Sequence, residues 1–197
     1  MGPVLIFVIG LCVGSFLNVV LSRLGRRGGI IAGRSTCPHC GRRLLWYDLV
    51  PLVSFLVLGG RCRFCREPIS LRYPAVEFLT AATLTLFFWR MGLSMDPLTI
   101  SGAVLLVGLL ALIFFDVMAL WLPDVVTVPL IVLAIARSAV GGVPVLRDAL
   151  VAGFILAGAF GILYVVSGRR WIGFGDVKLV FLVGLLFGYP IAPLAVL

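Results

Sequence analysis

Long apolar segments alternate with short polar segments along most of this chain. The apolar segments cover residues 3–22, 75–89, 98–115, 125–140, 149–166 and 179–197. A helix of about 20 apolar residues is long enough to cross a hydrocarbon core of about 30 Å. The pattern therefore predicts an all-α protein, a polytopic membrane helical bundle with about six spans.

A different kind of segment interrupts this pattern at residues 23–72. It is rich in glycine, arginine and cysteine, and its apolar patch, residues 49–58, is too short to span a bilayer comfortably. We interpret the segment as a small cytoplasmic domain that lies partly on the membrane surface. The sequence thus predicts three parts: a first transmembrane helix (1–22), a cysteine-rich domain (23–72) and further membrane-embedded helices (73–197).

Composition and charge favour a membrane protein over a soluble nucleic-acid binder. Hydrophobic residues make up 62% of the chain and charged residues only 12%, against about 25% charged residues in soluble proteins. A net charge of +8 is compatible with nucleic-acid binding, but ten of the fifteen arginines lie between Arg23 and Arg72, beside apolar segments. Such clusters are typical of cytoplasmic loops. We therefore expect the lipid bilayer as a partner and no nucleic acid.

The first apolar segment predicts the orientation in the membrane. Residues 1–21 carry no charged side chain and three arginines follow directly, which favours a retained anchor over a signal peptide. The positive-inside rule then places the N-terminus outside and residues 23–72 in the cytoplasm. Counting the spans onward puts Asp116, Asp124 and Asp176 on the cytoplasmic side as well.

Four cysteines form two C-x-x-C pairs in the predicted cytoplasmic domain, Cys37-Pro-His-Cys40 and Cys62-Arg-Phe-Cys65. Two such pairs can bring four thiolates to one tetrahedral Zn²⁺, so we predict a structural zinc site at Cys37, Cys40, Cys62 and Cys65. Two disulfides or four idle thiols are the alternatives, and a reducing cytosol disfavours the disulfides. His39, the only histidine, could replace a cysteine as a ligand, but four cysteines already complete the shell.

Two of only eight acidic residues, Asp116 and Asp176, lie at the edges of apolar segments. A charge at membrane depth costs about 2.5–3.5 kcal/mol, so it is rarely kept without a use. Aspartic proteases need two carboxylates that share a proton, one to activate a water and one to donate a proton. Serine or cysteine catalysis would usually need a histidine base, but His39 lies in a cysteine pair, and no H-E-x-x-H motif is present. Elimination therefore favours an aspartyl catalyst.

Two glycines, Gly173 and Gly175, precede Asp176 in a G-x-G-D pattern. Glycine allows close approach of another backbone, so the pattern can make room for an extended peptide beside the acid. Glycine is abundant here, with 23 residues, and a membrane-edge turn with a solvated aspartate explains the pattern alone equally well.

Three further charged residues are candidates for supporting or substrate-binding roles. Asp124 follows Pro123 and suits the N-cap of the next helix, which we prefer over direct catalysis. Glu77 lies just inside the second predicted span and is expected to face the protein interior, where it would bind substrate or pair with an arginine. Lys178 is two residues after Asp176, and a snorkelling membrane anchor is the simpler interpretation of it.

Taken together, the motifs resemble the type IV prepilin peptidase family over nearly the whole chain. Besides the two cysteine pairs, the matching motifs are Gly14-Ser15-Phe16-Leu17-Asn18, Tyr47-Asp48-Leu49-Val50-Pro51, Tyr73-Pro74-Ala75-Val76-Glu77, Leu122-Pro123-Asp124 and Gly173-Phe174-Gly175-Asp176-Val177-Lys178-Leu179. The resemblance implies that Asp116 and Asp176 are the catalytic pair of an aspartic endopeptidase of the bacterial cytoplasmic (inner) membrane. It implies cleavage of type IV prepilins and pseudopilins at the cytoplasmic face, after the glycine that ends a short basic leader.

The resemblance has two further implications. Many members of the family methylate the new N-terminal residue with S-adenosylmethionine, an activity associated with the cysteine-bearing domain, so we expect this chain to carry both activities. Members also continue with further spans beyond the G-x-G-D helix, whereas this sequence stops at Leu197 in an apolar run. That ending is expected of a truncated sequence or of an unusually short member.

Two other interpretations stay open at this point. A presenilin-like intramembrane protease shares the G-x-G-D pattern but pairs it with a Tyr-Asp inside a span, whereas Tyr47-Asp48 lies in the cysteine-rich domain here. A membrane transporter or a zinc-organised assembly protein would use the aspartates as an ion path or as structural ties.

Overall fold

The computed structural model describes residues 2–24 and 35–188, and these residues are largely helical. The α-helices among them are α1 (Pro3–Arg23), α2 (Val53–Val57), α3 (Arg72–Arg90), α4 (Pro97–Ala119), α5 (Asp124–Val140), α6 (Val143–Val166) and α7 (Phe174–Phe187). A 3₁₀ helix, Trp46–Leu49, precedes α2. These ranges contain isolated β-bridges but no strand. The predicted all-α class is confirmed.

Three of the described helices, α1, α4 and α6, are long and apolar enough to cross a membrane, with mean hydropathies of 2.7, 2.6 and 2.4. Helices α5 and α7 have 17 and 14 residues, fewer than the roughly 20 residues that a span needs. The last predicted span, residues 179–197, lies partly outside the described residues. The chain is thus a membrane protein, and the count of six spans stays a prediction.

Two helices begin earlier than the hydropathy pattern predicts. Helix α6 begins at Val143 rather than at residue 149, because Pro144 lies in its first turn, where the missing N–H needs no partner. Helix α7 begins at Phe174 rather than at residue 179. As a result, Asp176 lies inside the first turn of a helix instead of in the loop before it.

The described chain forms two compact units, Met1–Thr99 and Ile100–Leu197. The first contains α1, α2 and α3, and the second contains most of α4 together with α5, α6 and α7. The division into a first helix, a cysteine-rich domain and peptidase helices stays a prediction.

Within the first unit, α1 and α3 pack closely and run antiparallel. Facing residues recur every four positions along both helices: Gly10 with Ala81, Gly14 with Glu77, and Asn18 with Tyr73. A Cβ atom on either glycine would lie 2.6 Å from the opposing Cα atom, so only glycine permits this spacing. The G-x-x-x-G spacing in α1 is typical of close helix packing in membranes.

Leucines from several helices build the core of the second unit. Leu112 of α4 and Leu182 of α7 are fully buried, and Leu122 and Leu130 belong to the same buried cluster. Helix α7 packs against both α5 and α6. This packing determines where the start of α7, and therefore Asp176, is held.

We predict that Gly184→Ala destabilises the second unit by about 1–3 kcal/mol, the usual cost of overpacking. A Cβ atom on Gly184 would lie 2.5 Å from the Cα atom of Gly153 on α6, and a backbone atom cannot move aside as a side chain can. The matched control is Gly158→Ala in α6, where a Cβ atom would meet nothing within 4 Å. The measurement is thermal unfolding in detergent; equal melting temperatures for the two variants would contradict the close contact.

Candidate active site and metal centre

Asp116 lies in the last turn of α4, which ends at Ala119. Asp116 is exposed, and its carboxylate has no hydrogen-bond or ion-pair partner within residues 2–24 and 35–188. Leu120 adopts a left-handed conformation (φ 49°) and donates its N–H to the Asp116 carbonyl over 2.9 Å, where the helix ends. The Asp116 carboxylate is therefore available to a water or to a substrate group.

Asp176 is the third residue of α7, and the helix itself orients its side chain. Its Oδ2 accepts the N–H of Gly173 over 2.9 Å, and its own N–H donates to the Gly173 carbonyl over 3.1 Å. The first turn of a helix favours a negative charge because its free N–H groups and the helix dipole both point there. Gly173 is thus the N-cap residue that holds Asp176 in place.

Gly175 and Lys178 join the start of α7 to the start of α5. A Cβ atom on Gly175 would lie 3.1 Å from the Cβ atom of Leu122, so the glycine permits a tight contact with the residues before α5. Further along the helix, Lys178 Nζ forms an ion pair with Asp124 Oδ1 at 2.6 Å. The space beside Gly175 is therefore occupied by the Leu122 side chain.

The connection between α4 and α5 brings Asp116 to the same place. Only four residues, 120–123, separate the end of α4 from Asp124, the first residue of α5. Because α7 begins against this connection, Asp116, Asp124 and Asp176 lie at one end of the second unit. Three acidic residues at one end of an apolar helix cluster form a candidate active site.

Asp124 and Lys178 differ from their expected local roles. The N-cap of α5 is Pro123, no side chain caps this helix, and Asp124 is its first residue, so the predicted N-cap is wrong. The Asp124 carboxylate is instead close to a lysine 54 residues further along the chain. Lys178 Nζ also lies 4.9 Å from the centre of the Phe174 ring, so its side chain has specific partners and is more than a membrane anchor.

Glu77 belongs to the first unit and is almost fully buried, as its position inside α3 predicts. Its Oε2 accepts the N–H of Leu52 over 2.9 Å, and the side chain of Ser15 also donates to its carboxylate, so neither of these partners is an arginine. Leu52 directly precedes α2. Glu77 therefore ties the cysteine-rich domain to α3, and its role in substrate binding stays a prediction.

Asp48 bears on the presenilin-like interpretation. Its side chain is only 2% exposed, and its Oδ1 forms an ion pair with Arg63 at 2.7 Å. Its Oδ2 accepts the N–H of Leu45 over 3.3 Å. Both oxygens hold the cysteine-rich domain together, so Asp48 has the environment of a structural residue rather than that of a catalytic acid.

The four predicted metal ligands converge on one point. The sulfur atoms of Cys37, Cys40, Cys62 and Cys65 all lie within 4.8 Å of one another, and Cys37 Sγ is 3.8 Å from Cys65 Sγ. A tetrahedral zinc with Zn–S bonds of about 2.3 Å places its sulfurs about 3.8 Å apart. All four thiols are free, and His39 lies outside the cluster. The cluster can hold a metal ion, and its geometry fits zinc.

Backbone groups prepare one of these sulfurs for a metal. The N–H groups of Cys65 and Phe64 lower the pKa of Cys62 to about 6, which favours the thiolate that binds metals. The N–H of Glu67 likewise lowers the pKa of Cys65. Burial and hydrogen bonds with the other three thiols outweigh it and raise the pKa of Cys65 to about 12. Cys62 therefore ionises more readily than Cys65.

The two cysteine pairs have the same local backbone structure. In each copy the first cysteine, Cys37 or Cys62, accepts an N–H from four residues ahead and donates its own N–H to the carbonyl five residues ahead. The residues four ahead, Gly41 and Arg66, both have left-handed backbones (φ 67° and 62°). An isolated β-bridge flanks each copy at the same offset. The repeated C-x-x-C was the available signal for this duplication.

The fold and the site together define an all-helical integral membrane protein with a four-cysteine domain and a G-x-G-D helix start. Family models match both parts: the bacterial peptidase A24 N-terminal domain matches residues 8–91, and the type IV leader peptidase family matches residues 103–197. The chain belongs to the type IV leader peptidase family.

Individual relatives agree with this assignment. The chain is 41% identical to a prepilin leader peptidase/N-methyltransferase of Myxococcus xanthus, in an alignment that covers 92% of this chain and 55% of that protein. Relatives with the same name from Pseudomonas aeruginosa and Neisseria gonorrhoeae are 34% and 32% identical, with 96% of this chain covered and 74% and 75% of the relatives. The chain thus spans roughly half to three quarters of the length of these relatives. No solved structure gives a significant match.

Proposed function

We propose that this chain is a membrane aspartic endopeptidase that removes the leader peptide of type IV prepilins and pseudopilins. The observation that carries the proposal is that Asp116 and Asp176 lie at the same end of the second unit, where the start of α7 orients Asp176 and the Asp116 carboxylate is exposed. Membership of the type IV leader peptidase family supports the substrate class. The relatives from Myxococcus and Pseudomonas are named for the same activity.

In the proposed mechanism, the two aspartates share one proton. The ionised carboxylate takes a proton from a water as it attacks the scissile carbonyl, and the protonated carboxyl donates its proton to the carbonyl oxygen. In the second step the carboxyl that took the proton from water gives it to the leaving amine. The other carboxylate takes a proton from a hydroxyl of the tetrahedral intermediate, and the C–N bond breaks.

The charge pattern supports a cytoplasmic position for the proposed cut. Ten arginines between Arg23 and Arg72 favour a cytoplasmic location for this segment of an inner-membrane protein. The same topology puts the Asp116 end of α4 on the cytoplasmic side. A substrate with a basic leader and an apolar helix would then present its leader–helix junction there, and we propose cleavage after the glycine at that junction.

Two cofactors belong to the proposal. Zinc would be held by the four cysteines, and it would supply structure by cross-linking the two copies of the cysteine pair. S-adenosylmethionine would supply a methyl group for the new N-terminal amine, as the names of the relatives suggest. The chain's own contribution to methylation would be to hold that amine.

A reconstituted reaction tests the function. The chain in detergent or vesicles, given a prepilin with a glycine before its apolar helix, should release the leader, and mass spectrometry should place the cut after that glycine. With added S-adenosylmethionine, the mature product should gain the mass of one methyl group. A prepilin in which a bulky residue replaces the glycine is the control. A chain that cuts both substrates alike, or neither, would refute the assignment.

A further inference from the structure

The cysteine-rich domain exposes a group of large apolar side chains that the proposed chemistry does not use. We call this group the loop patch: Trp46, Leu49, Val53, Leu56 and Val57. They lie on the 3₁₀ helix and on α2, and Trp46, Leu56 and Val57 are 80%, 75% and 77% exposed. Side chains of this size are rarely grouped at a water-facing surface unless another surface covers them.

Leu52, which lies between the two halves of the loop patch, is level with the middle of α1. The N–H of Leu52, beside α2, donates to Glu77, and Glu77 faces Gly14 of α1. Gly14 is nine residues before the last residue of α1, Arg23, a distance of about 13 Å along a helix. A glutamate side chain is too short to cover that distance, so the chain beside α2 lies below the Arg23 end of a membrane-spanning helix.

The hydrogen bond between Leu52 and Glu77 gives a backbone N–H the protein acceptor that it would need inside a membrane. A backbone N–H in hydrocarbon costs several kcal/mol unless a protein group accepts it, so irregular chain at membrane depth must be paired. Leu52 has a left-handed backbone (φ 57°) and cannot continue a helix there. Glu77 accepts its N–H at 2.9 Å and also receives a hydrogen bond from the side chain of Ser15 in α1. Glu77 of α3 thus provides the hydrogen-bond acceptor that the N–H of Leu52 needs.

Charge around the loop patch matches an anionic surface. Between residues 44 and 60 the only charged residue is Asp48, and Arg63 neutralises it. Exposed arginines flank this segment on both sides: Arg42 and Arg43 before it, and Arg61, Arg66 and Arg72 after it. Arginines next to an exposed apolar surface are typical of segments that lie in the headgroup region of anionic membranes.

We propose that residues 45–58 form a loop inserted into the lipid leaflet at the Arg23 end of α1. The loop patch contacts the acyl chains, and the flanking arginines bind the phosphates of anionic phospholipids. This insertion holds the cysteine-rich domain against the membrane that α1 crosses. The proposal is independent of the peptidase assignment, because it uses only contacts within the first unit.

Fluorescence of Trp46 in the full chain tests the proposal. A variant with Trp89→Phe, Trp121→Phe and Trp171→Phe leaves Trp46 as the only tryptophan. It is reconstituted into phosphatidylethanolamine/phosphatidylglycerol vesicles whose acyl chains carry bromine at a shallow or a deep position. We expect shallow bromines to quench most of the emission, and aqueous iodide to quench far less than it quenches N-acetyltryptophanamide. Strong iodide quenching without bromine quenching would overturn the proposal.

A second variant and a change of lipid serve as controls for this experiment. If the triple variant does not fold, the difference in bromine quenching between the natural chain and Trp46→Phe reports on the same residue with one substitution. Vesicles of phosphatidylcholine alone should show weaker quenching of Trp46; equal quenching in both lipids would refute the role of the arginines. Iodide protection that arises only when a prepilin is added would mean that the loop patch binds a substrate helix, and would overturn lipid insertion.

Discussion

Asp116→Asn and Asp176→Asn should each lower the rate of leader cleavage by about 10²–10⁴-fold, the usual contribution of general acid–base catalysis. Asparagine has nearly the same shape as aspartate but cannot ionise or exchange a proton. At position 176 its amide oxygen can still accept the Gly173 N–H that Asp176 Oδ2 accepts at 2.9 Å, so the start of α7 should survive. The loss should therefore appear in kcat with little change in KM.

The matched control for these variants is Asp148→Asn in α6. Asp148 is an exposed aspartate of the same unit, and the substitution removes the same charge away from the Asp116 end. We expect wild-type cleavage from this variant and unchanged thermal unfolding from all three. Wild-type cleavage by Asp116→Asn or Asp176→Asn in a single-turnover assay would disprove the aspartyl mechanism.

The second large effect concerns the metal centre. Cys37→Ser should remove bound zinc and unfold the cysteine-rich domain, because zinc binding to structural sites is worth about 10–16 kcal/mol and serine is a poor ligand. Cys37 is buried beside the other three sulfurs, so the three remaining thiols would be left without their cation. Anaerobically purified wild-type chain should contain about one zinc per molecule, as a Cys₄ site predicts.

Cys12→Ser provides the control for this experiment. Cys12 is a free, exposed cysteine of α1 and lies outside the cluster, so its replacement should leave the zinc content unchanged. Metal analysis and limited proteolysis of residues 35–72 measure the two expected effects. Full zinc content in Cys37→Ser, or no zinc in the wild-type chain, would be incompatible with the site.

Local sequence patterns were sufficient to predict two of the long helices and the grouping of four cysteines. Hydropathy identified the positions of α1 and α4 to within a few residues, because a span is a continuous apolar run that needs no knowledge of its neighbours. The paired C-x-x-C spacing likewise indicated which four cysteines converge, since each pair places two sulfurs on one tight turn. Helix starts were less accurate, because a first turn tolerates residues such as Pro144 that elsewhere end helices.

Contacts between distant residues could not be predicted in this way. The expected N-cap role of Asp124 was wrong because the carboxylate is close to Lys178, and no local rule links residues 54 positions apart. Substrate binding and pairing with an arginine were the two roles expected for Glu77, whereas its carboxylate accepts the N–H of Leu52, a contact that neither role anticipates. The G-x-x-x-G spacing in α1 was a usable signal for its contact with α3, and the sequence interpretation did not use it.

The sequence by itself determined that this protein is a membrane-embedded helical protein with a four-cysteine domain and acids at the ends of apolar segments. These properties are local, because hydropathy, charge and short spacings act over one helix or one turn. Only the tertiary structure decided which helix ends meet. The packing of Gly175 on Leu122 and the ion pair between Lys178 and Asp124 bring Asp176 to the Asp116 end of α4. Such pairings depend on shape complementarity between helices, which no single segment encodes.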